Sequence, residues 1–320
     1  MDVKINKRKI NSFLTNYEIG SLVSIKHIKK GFANRVFYLK TTKGEYILKI
    51  VVRNNPNNRF KYELELLEHL KGKGLPIPEI VKARNNKLFL RHQDHATFIY
   101  KYLPGKQLSR FSVSMYKQLG IFLGRLHNET TKFKSLVNRM QLYNISPTTF
   151  KRQATLSRKT NDAKLLNAIG YIEKNMLTYL LPPSLPEGAM HIDVKPENIL
   201  FKNGQLSGVV DFDNSYIGPL VFDLAHTLMW LCVKNGKFDL KKVKVVYDAY
   251  NEVRKLTKAE KDNMLKALHY SCLSHSFVDV YFKVHRKELK RDYVYWGIDN
   301  LLVAQKYLLR NKSKFKKIFK

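Results

Sequence analysis

Cysteine is almost absent from this chain: of 320 residues only Cys232 and Cys272 carry a thiol. Without CxxC spacing they form neither a disulfide framework nor a thiolate metal site. Both fall in apolar, helix-patterned surroundings, where a thiol acts as a small inert hydrophobe, and this usage fits a reducing cytoplasm. Long hydrophobic runs are missing as well. The longest, near Leu220–Val233, is interrupted by Asp223 and His226, and the opening MDVKINKRKI has no apolar signal region, so we expect neither a membrane span nor a leader. Acidic residues are scarce, 26 against 58 Lys and Arg, which leaves a net charge of +32. Such an excess would suit a polyanion. Lysine is nevertheless spread over the whole length among many Asn and Ile, as an AT-rich coding sequence produces, so the expectation is dispersed surface charge without a specific nucleic-acid partner. The nearest thing to a patch is the tail KYLLRNKSKFKKIFK at 306–320. Its interleaved Leu, Phe and Lys predict an amphipathic helix packed on the body, a surface-binding device being the alternative. The sequence sets no oligomeric state.

What is present is a globular composition, 44% hydrophobic, with a change of character near residue 104. Before it, Leu22–Ile28, Arg35–Thr41, Gly44–Val52, Lys87–Leu90 and Ala96–Tyr102 are short runs rich in β-branched and aromatic residues, split by turns such as Thr42-Lys43-Gly44. After it helices dominate: Ser112–Thr130, capped by Ser112 or Ser114, then Asp162–Leu181, Leu220–Val233, Leu240–Leu256, Lys258–Phe282 and Tyr293–Leu309. The chain therefore divides at 1–103 and 104–320 in an α+β arrangement.

One helix, Asn58–Lys73, interrupts the strand-rich part. Its apolar Leu66, Leu67 and Leu70 share a face with Glu63, whereas Glu65, Glu68 and His69 project toward water. Glu63 thus needs a buried partner. Lys49, alone in the apolar run Tyr46–Val52, is the candidate, although an outward-facing strand lysine would look the same. A Lys49–Glu63 pair would orient nucleotide phosphates. Gly31-Phe-Ala-Asn34 lies between the first two strands, where Gly31 and Asn34 could cover those phosphates. Ile28, Val36 and Ile47 above, with Leu200 and Val210 below, could sandwich an adenine ring whose edge meets backbone groups of Tyr100 and Tyr102; the same residues could equally be plain core.

The most informative stretch is HIDVKPENIL at 191–200, followed by the DFD of Asp211-Phe212-Asp213. Asp193 could accept the proton of an attacking hydroxyl, and Asn198 and Asp211 could supply oxygen ligands to a Mg²⁺ ion bridging the phosphates of ATP. Ile199–Phe201, the turn Lys202-Asn203-Gly204 and Leu206–Val210 read as a hairpin that would deliver Asn198 and Asp211 to one ion.

On these motifs the chain resembles the aminoglycoside phosphotransferase and choline kinase superfamily over nearly its whole length. The resemblance implies a protein-kinase-like two-lobed fold, with a small antiparallel-sheet lobe carrying one helix and a larger, mostly helical lobe. It makes Asp193 the catalytic residue, Asn198 and Asp211 the metal ligands, Lys49 and Glu63 the phosphate-orienting pair, and FIYKYLPG at 98–105 the hinge. Asp223 in GPLVFDLAH resembles a helix Asp that braces the catalytic loop. NYEIGSLVSIKHIKKGFANRVFYLKTTKGEYILKI at 16–50, LLEHLKGKGLPIP at 66–78 and SGVVDFDNSYIGPLVFDLAHTLMW at 207–230 most resemble type II homoserine kinases. That branch commonly carries Thr where this chain has Lys49, which brings neighbouring kinases with other substrates into play. The implied function is ATP- and Mg²⁺-dependent phosphorylation of a small-molecule hydroxyl, homoserine foremost. Antibiotic phosphorylation, a Ser/Thr protein kinase and a silent basic nucleic-acid-binding module stand as alternatives; Ile192 and Asp213 depart from the protein-kinase pattern.

Overall fold

The structure is a computed structural model and describes residues 7–28, 34–52, 59–137, 139 and 141–320. The chain enters through helix α1 (Lys7–Leu14) and then builds the meander β1 (Leu22–Ile28), β2 (Arg35–Thr41) and β3 (Gly44–Ile50). Helix α2 (Arg59–Leu70) follows, then β4 (Ile80–Val81), β5 (Leu90–His92) and β6 (His95–Lys101). Strand β6 inserts between β3 and β4 in an antiparallel sheet.

Pleat alternation divides the sheet into two faces. Phe37, Leu39, Leu48, Ile50 and Ile99 are buried in one cluster with Ile10, Phe13 and Leu14 of α1. Cross-strand register places Val36, Lys49 and Phe98 on the opposite face, with Tyr38, Ile47 and Tyr100 two residues along. That face looks toward α2 and the second lobe. Two details differ from expectation. The hairpin after Ala83 takes up Lys87–Phe89, so the strand starts at Leu90, and its return to β6 passes through Gln93 and Asp94 at φ 48° and 64°, a tight turn that requires two left-handed residues. Glu65, Glu68 and His69 are half-buried rather than free in water, because Ser135, Lys82 and the Glu129 carbonyl cover them.

The second lobe begins with α3 (Val113–Thr130), capped by Ser112 accepting from the Met115 amide, and continues with α4 (Pro147–Ser157) and α5 (Ala163–Asn175). Strands β7 (Glu187–Met190) and β10 (Tyr216–Pro219) pair with each other and flank the hairpin of β8 (Ile199–Lys202) and β9 (Gln205–Val209). Then come α6 (Leu220–Cys232), the short ribbon β11 (Val233–Lys234) and β12 (Lys237–Phe238), α7 (Leu240–Val253) and α8 (Lys258–Tyr281). Thr257 and Glu260 form a capping box at the head of α8. Helix α9 (Arg291–Gly297) runs through a π-helical turn at Ile298–Leu302 into α10 (Val303–Arg310), and α11 (Lys312–Ile318) ends the fold. The basic tail lies on the body, with Phe315 and Phe319 buried in the main core. Among the described residues no helix is long and apolar enough to cross a membrane, and both cysteines are buried and free.

Helices α3 and α7 touch closely at a glycine. A Cβ on Gly120 would stand 2.5 Å from the Val246 carbonyl oxygen and 2.9 Å from the Ala249 Cβ. Alanine gains about 1 kcal/mol of helix propensity over glycine, but overpacking against backbone costs roughly 1–3 kcal/mol. We expect Gly120→Ala to lower the urea midpoint at unchanged m-value; a raised midpoint would mean the helices part freely.

Candidate active site

The loop after β7 is built around a buried carboxylate. His191 and Ile192 donate their amides to Asp223 Oδ2 and Oδ1, each at 2.8 Å. Ile192 has φ 62°, a left-handed conformation costly for a β-branched residue and maintained by its surroundings. Asp223 Oδ2 also lies 3.0 Å from His127 Nε2, and His127 Nδ1 lies 2.7 Å from the Tyr250 hydroxyl. These partners assign Nε2 as donor and Nδ1 as acceptor. Burial holds His127 below its usual pKa. Burial opposes the charge of Asp223, but His127 and His191 hold its carboxyl below the usual range. Asp223 thus has the bracing geometry that the sequence resemblance implies.

The loop presents Asp193, which is 4% exposed. Its Oδ2 accepts from Lys195 Nζ at 2.9 Å and Asn198 Nδ2 at 3.2 Å, and its carbonyl accepts from Asn198 Nδ2 at 2.9 Å. Burial pushes the carboxyl up to about 6, against the pull of Lys195 and with help from Asp211. Because the Asn198 amide nitrogen is spent on Asp193, its Oδ1 remains for a cation. The hairpin returns beside it: Ile199 pairs with Val209, and the Val210 amide donates to the Asn198 carbonyl at 2.9 Å. The next residue is Asp211, at φ 68° and with its side chain 49% exposed. The hairpin thus brings Asn198 and Asp211 to neighbouring strand ends, two hard oxygen donors of the kind that Mg²⁺ takes. Among the described residues no three His, Cys, Asp or Glu gather into a metal site, so such an ion needs further oxygens from what binds there.

From the other side, Lys49 Nζ contacts Glu63 Oε1 at 3.0 Å and Oε2 at 2.9 Å. The Tyr100 hydroxyl donates to Glu63 Oε1 at 2.8 Å. Lys49 also reaches Asp213 Oδ1 at 2.9 Å and Asp211 at 3.9 Å. Burial works against the ammonium, but Asp213, Glu63 and Asp211 hold its pKa well above normal. Burial, opposed by Lys49 and reinforced by Asp213, pushes Glu63 up. Burial opposes the charge of Asp213 too, and Lys49 overcomes it, holding that carboxyl at about 2.

Asp213 was legible only as a departure from the glycine of a protein-kinase DFG, yet here it ties the two lobes together. Besides Lys49 it accepts from Asn34 Nδ2 at 2.7 Å. Arg139, unmarked by any motif, donates to the Asp213 carbonyl at 2.9 Å and the Ser215 carbonyl at 3.2 Å. Gly31 lies outside the described residues. Tyr100 is buried within the sheet between Ile47 and Ile80, so its peptide is engaged and its role in the site is the phenol on Glu63. The Tyr102 amide is bonded to the Glu45 carbonyl at 3.1 Å, so that N–H is engaged as well. Leu200 stands beside Leu103: a Cβ on Gly208 would meet both at 3.1 Å. Ile28, Val36, Ile47, Leu200 and Val210 are all half-buried, and Ile47 also packs against the main core.

The sequence from 24 to 256 matches the model of the phosphotransferase enzyme family. A homoserine kinase of Methylocella silvestris is 30% identical over 261 residues, covering 80% of this chain and 80% of that protein. Among solved structures, a microcompartment-associated aminopropanol kinase superposes with a TM-score of 0.69 at 15% identity, over 97% of this chain and 99% of that one. An amicoumacin kinase, solved in complex with AMP-PNP, Ca²⁺ and Ami, gives 0.68 at 14% identity over 97% and 95%. At such identities the structural likeness establishes the α+β, two-lobed kinase-like fold.

Proposed function

The chain belongs to the phosphotransferase enzyme family, and from that premise we propose that it transfers the γ-phosphoryl group of ATP, with Mg²⁺, to the hydroxyl of a small molecule, homoserine being the first acceptor to test. The observation that carries this reading is the meeting of Lys49–Glu63, Asp193, Asn198 and Asp211 where the two lobes face each other. In the proposed division of labour, residues 1–103 hold the nucleotide and residues 104–320 supply catalysis and the acceptor site.

Asp193 aligns the acceptor hydroxyl and takes its proton as the new O–P bond forms and the bond to the ADP oxygen breaks. Lys49, held by Glu63, steadies the phosphates by charge. Asn198 Oδ1 and Asp211 would hold Mg²⁺, which when bound offsets phosphate charge. Lys195 sits beside Asp193 and compensates its buried charge until substrate enters. Asp213 occupies Lys49 in the structure described here, and Lys49 would exchange part of that contact for phosphate oxygens.

Purified protein with Mg²⁺-ATP should release ADP saturably with homoserine or another small hydroxyl compound. Release with aminoglycosides alone would move the assignment to antibiotic phosphorylation, and release with none of them would remove the proposed acceptor class. Asp211→Ala should weaken ATP binding chiefly in the presence of Mg²⁺, because the ion loses its carboxylate anchor. Calorimetric titrations with and without the metal test this; a variant that kept the full metal-dependent gain in affinity would exclude Asp211 as the ligand.

A further inference from the structure

Behind Asp193, the seam of α6 and α8 gathers polar groups that the proposed chemistry leaves unused. Helix α6 carries His226 and Trp230 one turn apart, and α8 carries His275 and Asp279 with the same spacing. Asp279 is only 5% exposed, yet among the described residues no donor is hydrogen-bonded to its carboxylate. Its nearest basic neighbour, His275 Nε2, stands 3.4 Å away and itself has no hydrogen bond. His275 is also neutral, because burial and the adjacent His226 hold its pKa well below normal. Lys195 is the other cation whose charge reaches Asp279, but its Nζ is committed to Asp193 at 2.9 Å. Burial accordingly pushes the Asp279 carboxyl well above its usual range, and a cation joining it would restore the ionised form.

The surroundings suit a small organic cation. Lys195 Nζ lies 5.4 Å from the Trp230 ring centroid, so this indole borders both Asp193 and the His275–Asp279 pair, with His275 at 4.8 Å between centroids. Trp296 stacks on Trp230 at 5.7 Å and 9° and is 43% exposed, giving an aromatic wall that runs outward to solvent; aromatic faces attract ammonium groups. Gly297, itself buried, brings the α9 backbone close on that side: a Cβ there would stand 3.4 Å from Asp279 Oδ2. Trp230 Nε1 and His226 Nδ1 are also buried without hydrogen-bond partners, polar groups that a bound molecule could meet.

We propose that Asp279 is the specificity-determining residue of the acceptor site, receiving the ammonium of a small amino alcohol or hydroxy amino acid whose hydroxyl is presented to Asp193. This rests on Asp193 as the proposed base. Homoserine and 3-aminopropan-1-ol, each compared with its deaminated analogue (4-hydroxybutyrate and propan-1-ol), probe it by calorimetric binding and by ADP release. The wild type should favour the amines by about 10- to 100-fold in affinity and kcat/KM, the range expected for a charged hydrogen bond. Asp279→Asn, which keeps the shape of the buried carboxyl but cannot ionise and should fold at least as well, should collapse that preference mainly through KM; Asp279→Glu should restore part of it. An unchanged preference in Asp279→Asn, or none in the wild type, would overturn the inference. Turnover of small alcohols without amine preference would leave the proposed function standing while this assignment fell. Asp279-dependent amine binding without phosphorylation of any probe would do the reverse.

Discussion

Asp193→Asn is expected to lower kcat by about 10²–10⁴-fold, the usual contribution of a general base, while nucleotide affinity stays within a few-fold of wild type. The asparagine keeps the shape of the site and can still meet Lys195 and Asn198, but it cannot take a proton. The wild-type profile should carry the same signature. Because burial pushes the Asp193 carboxyl up to about 6, and the base must be ionised, kcat/KM should fall as pH drops through about 6. The variant should lack that limb. Stability supplies an independent readout. A carboxyl raised above its unfolded value of about 3.9 is penalised in the folded state at neutral pH; the penalty is absent below that value and grows as pH rises to about 6. Asp193→Asn should therefore be no less stable than wild type at pH 7, as expected where activity is maintained at the expense of stability. Turnover within a few-fold of wild type would remove Asp193 from the mechanism.

The residues most legible in the sequence are those whose spacing encodes their geometry. A hairpin fixes the separation of Asn198 from Asp211, and the one-turn offsets of α2 put Glu63 on the same face as Leu66, Leu67 and Leu70, facing Lys49 on the neighbouring strand. In each case the local period determines what the side chain meets. The strands Leu22–Ile28 and Arg35–Thr41 were readable to the residue for the same reason. What escaped depends on tertiary contact. The shelter around Glu65 and His69 comes from residues near 129–135, far along the chain, and α4 has no strong apolar stripe to announce it. Asp213 stands one residue beyond a recognised motif, and only the approach of the lobes shows that it shares Lys49 with Glu63. Arg139 makes its bonds to backbone carbonyls, which no side-chain pattern records. Asp279 and Trp230 lie on different helices and become one site through the packing of α6 on α8.

Asp223→Asn is expected to do the opposite of Asp193→Asn and lose stability along with activity. Both oxygens of Asp223 accept backbone N–H groups, from His191 and Ile192 at 2.8 Å each, and Oδ2 faces His127 as well. Whichever way the asparagine amide turns, its NH₂ confronts one of those donors, and a buried N–H loses its acceptor at a cost of about 1–3 kcal/mol. The lost charge adds to this, since hydrogen bonds to an ionised acceptor are roughly twice as strong as neutral ones. Ile192 at φ 62° depends on the same bonds, and strain of that kind, on the order of 1–3 kcal/mol, persists only where the surroundings enforce it. Once released, the loop should relax toward an ordinary backbone conformation and carry Asp193 away from the hydroxyl it must meet. A displacement of about 1 Å is enough to cost on the order of 10²-fold in rate. Denaturant unfolding should show a lowered midpoint and kinetics a lowered kcat, with ATP binding largely retained because Lys49, Glu63 and Asp211 do not touch Asp223. A variant of wild-type stability would mean that the loop holds its shape without this carboxylate.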